Sequence, residues 1–137
     1  MNMTEEDRIK KAHIMMMKHP ETAFYSGVMM MGETEVVDQN ITAYTDGVNK
    51  RYGRAFLQAM CKEQAEVNGL VLHENLHIAL RHMLHSRDLF EANAKRANMA
   101  ADFVVNDIIM NLKDKALCKL PAGGCYDPKY HNMNMRE

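Results

Sequence analysis

The sequence has few cysteines. Only Cys61, Cys118 and Cys125 occur among its 137 residues, and no two of them form a C-x-x-C pair. This odd number and spacing argue against a disulfide framework, so each thiol is expected to be a small buried hydrophobic group. Such a chain suits a reducing compartment, and we expect it in the cytoplasm.

The sequence also lacks a surplus of positive charge and any long apolar run. Its 17 Lys and Arg against 18 Asp and Glu give a formal net charge of −1, so nucleic acid is not expected as a partner. No apolar stretch approaches the roughly 18 residues of a membrane span, and the N-terminus lacks a signal-peptide core. With 47% apolar and 26% charged residues, residues 1–137 are expected to form one soluble globular domain.

Histidine is plentiful, and two of the seven lie in the pattern H-E-x-x-H. Residues four apart share one face of an α-helix, so His73 and His77 can direct two imidazoles at one Zn²⁺. Glu74 is then placed to take a proton from a metal-bound water. Apolar residues at helical spacing predict a helix from about Leu70 to His85. They are Leu72, Leu76, Ala79, Leu80 and Met83.

A hydrolytic zinc site needs a third protein ligand and a position for water. A following helix, predicted from near Leu89 to Asn111, carries Asn98, Asp102 and Asn106 in a polar line on an otherwise apolar segment. A carboxylate there is costly to bury unless a cation or a hydrogen-bond donor compensates it, and we predict Asp102 as the third ligand. Asn98 and Asn106 are predicted to orient Asp102 or the helices. Glu91 is the competing ligand, and an exposed or capping Asp102 is the alternative.

The first third of the chain predicts a helix followed by strands. Thr4, followed by three acids, begins a helix that ends near Pro20. Residues Thr22–Val37 predict one or two strands. Ile41–Thr45 predicts another, whose edge could pair with an extended substrate.

The remaining segments predict short or irregular structure. Tyr52–Met60 is typical of a loop that enters a short helix, and Asn68–Gly69 predicts a break before the metal helix. His82 and His85 are expected on a solvated face of that helix. The tail from Cys125 to Glu137 is expected to be irregular. Its candidate donors to an oxyanion are Tyr126, Tyr130 and His131.

Four segments occur in a fixed order: Thr45-Asp46-Gly47, His73–His82, Asn98–Asn106 and Leu120–Asp127. Together they resemble the putative metallopeptidase domain of bacteria and phages, which precedes a von Willebrand A-like domain in longer members. The similarity covers roughly residues 41 to 133. It implies a zincin-like α+β fold, in which a small mixed sheet packs against the H-E-x-x-H metal helix and a following helix brings the acidic ligand. It also implies a bacterial or phage-infected host cell.

The expected function is a zinc-dependent peptidase acting on protein or peptide. Zinc on the three ligands would acidify a water and polarise the scissile carbonyl, while Glu74 passes the proton to the leaving amine. A rival is a binding module that keeps zinc for stability and binds a protein partner through a surface rich in the fourteen methionines. The intact Glu74 disfavours that rival. A third alternative, a metal-dependent hydrolase of nucleic acid or of a DNA-linked protein, is disfavoured by the neutral charge.

Overall fold

The computed structural model describes residues 3–45, 48–81 and 94–120, with backbone alone at 80–81 and 94–101. The elements in order are α1 (Glu5–Lys18), a 3-10 helix (Ala23–Tyr25), α2 (Ser26–Met29), β1 (Thr34–Val37), β2 (Ala43–Thr45), β3 (Lys50–Gly53), α3 (Arg54–Met60), α4 (Gln64–Arg81) and α5 (Ala94–Met110). The predicted α+β class is therefore confirmed. Within these ranges, no helix is long and apolar enough to cross a membrane.

Helix α1 begins where the sequence predicts. The Thr4 hydroxyl accepts a hydrogen bond from the backbone N–H of Asp7 at 3.1 Å, and the Asp7 carboxylate accepts one from the Thr4 N–H at 3.4 Å. This reciprocal capping box satisfies backbone donors that the first turn leaves open. The buried side chains of the helix include Ile9, Ala12 and Met16. Through this face α1 packs against α4 and supports it.

The sheet is small and mixed, as predicted. Its order is β1-β3-β2, with β1 parallel and β2 antiparallel to the central strand. Alternate residues of a strand face the same side, so Lys50 and Tyr52 share one face of β3, and both are fully buried. The Lys50 ammonium donates to the carbonyls of Met29 at 2.8 Å and Val28 at 3.2 Å. Burial lowers the pKa of Lys50 to about 8.

The prediction over Thr22–Val37 is partly wrong. One strand forms there, β1, while residues 23–29 form two short helices instead. Thr22 is fully buried and donates its hydroxyl to the Met16 carbonyl at 2.6 Å, which ties the segment to the end of α1. This tertiary anchor overrides the strand propensity of the segment. Gly32, with φ of 64°, then lets the chain turn into β1.

The prediction over Tyr52–Met60 misses a strand. The short helix exists as α3, but Tyr52 and Gly53 belong to β3 and not to a loop. The sequence pattern for this strand is weak because the strand has only four residues and begins with Lys50 and Arg51. Charged residues are rarely placed in a central strand from propensity alone.

The predicted break at Asn68–Gly69 is wrong, because α4 runs through both residues. The Asn68 amide donates to the Leu117 carbonyl at 2.8 Å, and the backbone N–H of Lys119 donates to the Ala65 carbonyl at 2.9 Å. A Cβ at Gly69 would lie 2.0 Å from the Lys119 carbonyl oxygen. The glycine therefore admits a neighbouring backbone and does not end the helix.

Replacing Gly69 with alanine is expected to lower the free energy of unfolding by at least about 2 kcal/mol, because the added methyl meets backbone that cannot rotate away. Alanine is intrinsically the better helix former by about 1 kcal/mol, so helix propensity alone predicts the opposite sign. Urea unfolding measures the change. Gly27→Ala is the matched control, since nothing lies within 4 Å of a Cβ there. A Gly69→Ala protein that is more stable than wild type would contradict the close approach of the Lys119 backbone to Gly69.

Candidate metal centre

Helix α4 presents His73 and His77 on one face, next to α5. Their Nε2 atoms lie 3.0 Å apart, and the ring centroids are 4.7 Å apart. The two side chains are only 18% and 10% exposed. The four-residue spacing in a helix thus brings the imidazoles together at the boundary between the core and solvent.

Helix α5 brings Asp102 to the same point. Its Oδ1 lies 3.1 Å from Nε2 of His73 and 2.7 Å from Nε2 of His77. One ligand atom from each residue lies within 4.8 Å of the other two, and the group could hold a metal ion. The three residues predicted as ligands are therefore neighbours. The competing Glu91, together with His82 and His85, lies outside the described residues.

Asn106, one turn further along α5, contacts the first histidine. Its amide oxygen lies 2.7 Å from Nδ1 of His73, and the residue is 1% exposed. Because an amide oxygen only accepts, Nδ1 carries the proton, and the Nε2 lone pair turns towards Asp102. Asn106 thus holds His73 in the tautomer that ligates through Nε2. Asn98 lies in the helical part of α5, but its side chain is outside the described residues.

The charges around the cluster favour a cation. Burial acts to lower the pKa of His73, but the hydrogen bond that the protonated ring donates from Nε2 to Asp102, together with the charge of Glu74, outweighs it and raises that pKa. Burial acts to raise the pKa of Asp102, but its hydrogen bonds with His73 and His77 hold that pKa well below its usual range. A lone pair that faces a carboxylate at this distance is repulsive unless a proton or a metal ion lies between them.

The donor set also has the dimensions of a zinc site. Zinc bonds of about 2.0–2.1 Å in a tetrahedron place the ligand atoms roughly 3.3 Å apart. The three separations here are 2.7, 3.0 and 3.1 Å. An opening of a few tenths of an ångström would fit the ion.

Glu74 follows His73 on α4 and is buried, with only 6% of its surface exposed. Besides acting on His73, its charge reaches Tyr52 of β3, whose pKa is raised first by burial and then by Glu74. Tyr52 is fully buried, and its hydroxyl has no hydrogen-bond partner in the described part of the chain. The sequence predicts a loop at Tyr52, and no local pattern indicates that the residue is buried.

Strand β2 flanks the metal helix. The predicted strand Ile41–Thr45 is confirmed over its last three residues, and β2 packs against α4. It pairs with β3 and forms one edge of the described sheet. The candidate oxyanion donors Tyr126, Tyr130 and His131 lie outside the described residues.

Replacing Asp102 with alanine is expected to weaken zinc binding at least roughly tenfold, because the carboxylate is the only anionic group that touches both imidazoles among the described residues. Glu91→Ala is expected to leave zinc affinity nearly unchanged, since the sequence predicts Glu91 near a helix start, where the helix dipole already accounts for an acid. Competition with a chromogenic chelator measures both variants. The opposite ranking would move the third ligand to Glu91.

A family model described as a putative metallopeptidase domain matches residues 4–129. The match extends over nearly the whole chain and includes α1, the sheet and both helices of the cluster. It confirms the family resemblance inferred from the sequence, and the matched region begins nearer the N-terminus than the resemblance did. No curated protein and no solved structure matches the chain.

Proposed function

Because this chain belongs to the putative metallopeptidase domain family, we propose that it is a zinc-dependent peptidase with its metal ion on His73, His77 and Asp102. The single observation that carries the proposal is the convergence of two Nε2 atoms and one carboxylate oxygen. Two imidazoles with one carboxylate suit zinc, whereas magnesium and calcium prefer oxygen ligands alone. The proposed architecture is zincin-like, with a small mixed sheet packed on the metal helix.

The mechanism assigns a role to each residue of the site. When bound, zinc supplies a Lewis acid that acidifies a water and polarises the scissile carbonyl. Glu74 accepts the proton of the attacking water and delivers it to the leaving amine. Asn106 holds the His73 tautomer through Nδ1, and Asp102 balances the charge of the cation.

The proposed substrate is an extended segment of protein or peptide. Strand β2 forms an edge of the described sheet and packs against the helix that carries His73 and His77. An extended backbone added to this edge would run past the metal helix. Tyr44, which is 41% exposed on β2, would flank such a segment.

The proposed setting is the cytoplasm of a bacterium or of a phage-infected cell. Cys61 and Cys118 are buried free thiols, and burial raises the pKa of each to about 12. Neutral buried thiols are stable in a reducing compartment and are poor nucleophiles.

Digestion of an unbiased peptide library tests the proposal. The purified protein is assayed as loaded with zinc, after chelation, and after zinc is restored, with products identified by mass spectrometry. We expect cleavage in the first and third samples and none in the second. A library left intact by protein that holds about one zinc ion per chain would contradict the peptidase function.

A second candidate is a binding module that uses zinc for stability and an apolar surface for a protein partner. The observation that favours it is the exposure of several large apolar side chains, with Phe24 89% and Met30 76% exposed. Met16 and Met29 are buried, so the methionines do not all contribute to that surface. Such a module would bind zinc and cleave no peptide, and replacement of Glu74 would not change its binding of the partner.

A further inference from the structure

A groove between α1 and the outer strand β1 contains no residue of the metal centre and has no part in the proposed function. Its volume is about 430 Å³, within the range of roughly 300–1,000 Å³ that is common for ligand pockets. The residues that line it belong to α1, α2 and β1. They include Ile9, His13, Ile14, Met29, Thr34 and Val36. Ile14 is 48% exposed, so the groove opens to solvent.

The groove exists because the helices do not cover the whole inner face of the sheet. The register pairs Thr34 with Lys50 and Val36 with Tyr52, and paired residues of neighbouring strands face the same side. On the central strand this face is fully buried. On β1, in contrast, Thr34 is exposed and Val36 is only partly buried. The apolar layer under the sheet is therefore incomplete at β1.

The outer edge of β1 presents backbone groups along the border of the groove. The Lys50 N–H donates to the Glu33 carbonyl at 2.8 Å, so the backbone groups of Glu33 point towards β3. These groups alternate in direction along a strand, so the N–H and C=O of Thr34 and Val36 point away from β3. Strand β1 is outermost in the described sheet, and no described strand pairs with this edge. The same two residues thus line the groove and offer backbone donors and acceptors beside it.

This combination matches an extended peptide better than it matches other ligands. A strand added to β1 would pair with the backbone groups of Thr34 and Val36, and its alternate side chains would face the groove. A helix or a small apolar molecule could fill the groove, but neither could form that backbone ladder.

The charges at the groove favour an acidic residue in such a peptide. Two charged residues of α1, Glu6 and Lys10, line the groove one helical turn apart. Glu6 is already paired, because the Arg54 guanidinium donates to its carboxylate at 2.8 and 2.9 Å. The Lys10 ammonium has no hydrogen bond or ion pair with any described residue, and it is exposed. A carboxylate on the bound peptide would complement this charge.

We propose that the groove binds an extended segment of a partner protein, which adds as a strand to the outer edge of β1. An apolar side chain of the segment fills the groove, and an acidic side chain pairs with Lys10. The proposed substrate edge is β2, on the opposite side of the sheet. The groove is therefore a second peptide site, and its existence does not depend on the peptidase function.

Titration of a synthetic peptide provides the first test. The probe is a short labelled peptide in which isoleucine alternates with threonine and an aspartate occupies one end. Fluorescence anisotropy follows its binding to the zinc-loaded Glu74→Gln protein, in which hydrolysis cannot consume the probe. We expect saturable binding. Thr34→Pro removes an outward N–H at the first residue of an edge strand, where proline is tolerated, and should weaken binding at least about fivefold.

The same substitution on the opposite edge is the matched control. The Gly53 N–H donates to the Thr42 carbonyl at 2.9 Å, so by the same alternation the N–H of Ala43 points away from β3. Ala43 is the first residue of β2, as Thr34 is of β1. Ala43→Pro should leave the affinity for the probe within about twofold of that of the parent protein.

Reversal of one charge tests the pairing with Lys10. Lys10→Glu should weaken binding of the aspartate peptide about threefold or more, and should strengthen binding of a peptide with lysine in place of the aspartate. Lys11→Glu is the control, because it changes the net charge equally at the next residue, which does not line the groove. It should change either affinity less than about twofold.

Each outcome supports or overturns the proposal. Absence of saturable binding overturns it, as does binding that Ala43→Pro weakens and Thr34→Pro does not. If Thr34→Pro fails to fold, Ile14→Glu replaces it, with Phe24→Glu as its control at an exposed apolar residue outside the groove. Only the first should weaken binding, at least about fivefold. Sedimentation of the protein alone as a dimer that Thr34→Pro dissociates would make a second copy the occupant and overturn the partner peptide.

Discussion

Replacing Glu74 with glutamine is expected to leave zinc bound and to lower kcat about a thousandfold or more. The amide has the size of the carboxylate but cannot accept a proton from the attacking water. Glu74 is not among the three residues whose ligand atoms converge, so zinc content should stay at about one ion per chain. Turnover of a peptide chosen from the library digest, together with metal analysis of the same sample, measures both quantities.

The control for this prediction is the same substitution elsewhere on the same helix. Glu66 lies in the first turn of α4, where its carboxylate accepts a hydrogen bond from the Glu63 backbone N–H at 3.1 Å. Glutamine can also accept that bond, so Glu66→Gln should keep wild-type kcat. A Glu74→Gln protein that cleaves as fast as wild type would rule out the proposed general base.

Replacing both His73 and His77 with alanine is expected to reduce zinc content from about one ion per chain to nearly none, because Asp102 alone cannot hold the ion. Zinc that binds only the folded state also raises the temperature of unfolding. Added zinc should therefore raise the melting temperature of wild type and leave that of the double variant unchanged. Calorimetry with metal analysis measures both effects.

His19→Ala is the control for that experiment. The His19 imidazole pairs with Asp114 at 3.0 Å and belongs to neither helix of the cluster. We expect this variant to bind zinc as wild type does. Unchanged zinc content in the double variant would place the metal elsewhere in the chain.

Zinc affinity is also expected to fall with pH. A proton on Nε2 of His73 competes with the metal, and the pKa of His73 is raised in the folded protein. Affinity should therefore be full above that raised pKa and decline as pH falls through it. Chelator competition at a series of pH values measures the decline, and a flat profile would argue against His73 as a ligand.

The sequence was most informative where the periodicity of a single helix determines which side chains lie together. The spacing of His73 and His77 is a property of a single helix, and the structure brings their Nε2 atoms within 3.0 Å. Asp102 required one more step, because its helix had to pack back on the first. The packing could still be predicted, because the charge of a carboxylate in an apolar segment has to be balanced by a neighbouring group. Asn106 was identified as part of the site, but its contact with His73 was not.

The sequence was least informative where backbone packing decides the structure. Gly69 was predicted to break a helix, yet it admits the carbonyl of Lys119. Strand β3 carries Lys50 and Tyr52 on its buried face, and no alternation of apolar and polar residues marks it as a strand. The Lys50 ammonium on that face is held by two backbone carbonyls of α2, which are contacts between distant parts of the chain.

Crystallographic anomalous scattering at the zinc absorption edge tests the central claim most directly, because it locates the ion among the side chains. We expect one strong peak at about 2.0–2.2 Å from Nε2 of His73, Nε2 of His77 and an Oδ atom of Asp102, and no direct bond from that ion to Glu74. A zinc peak bound to other residues, or no peak in protein crystallised with zinc, would contradict the proposed metal site.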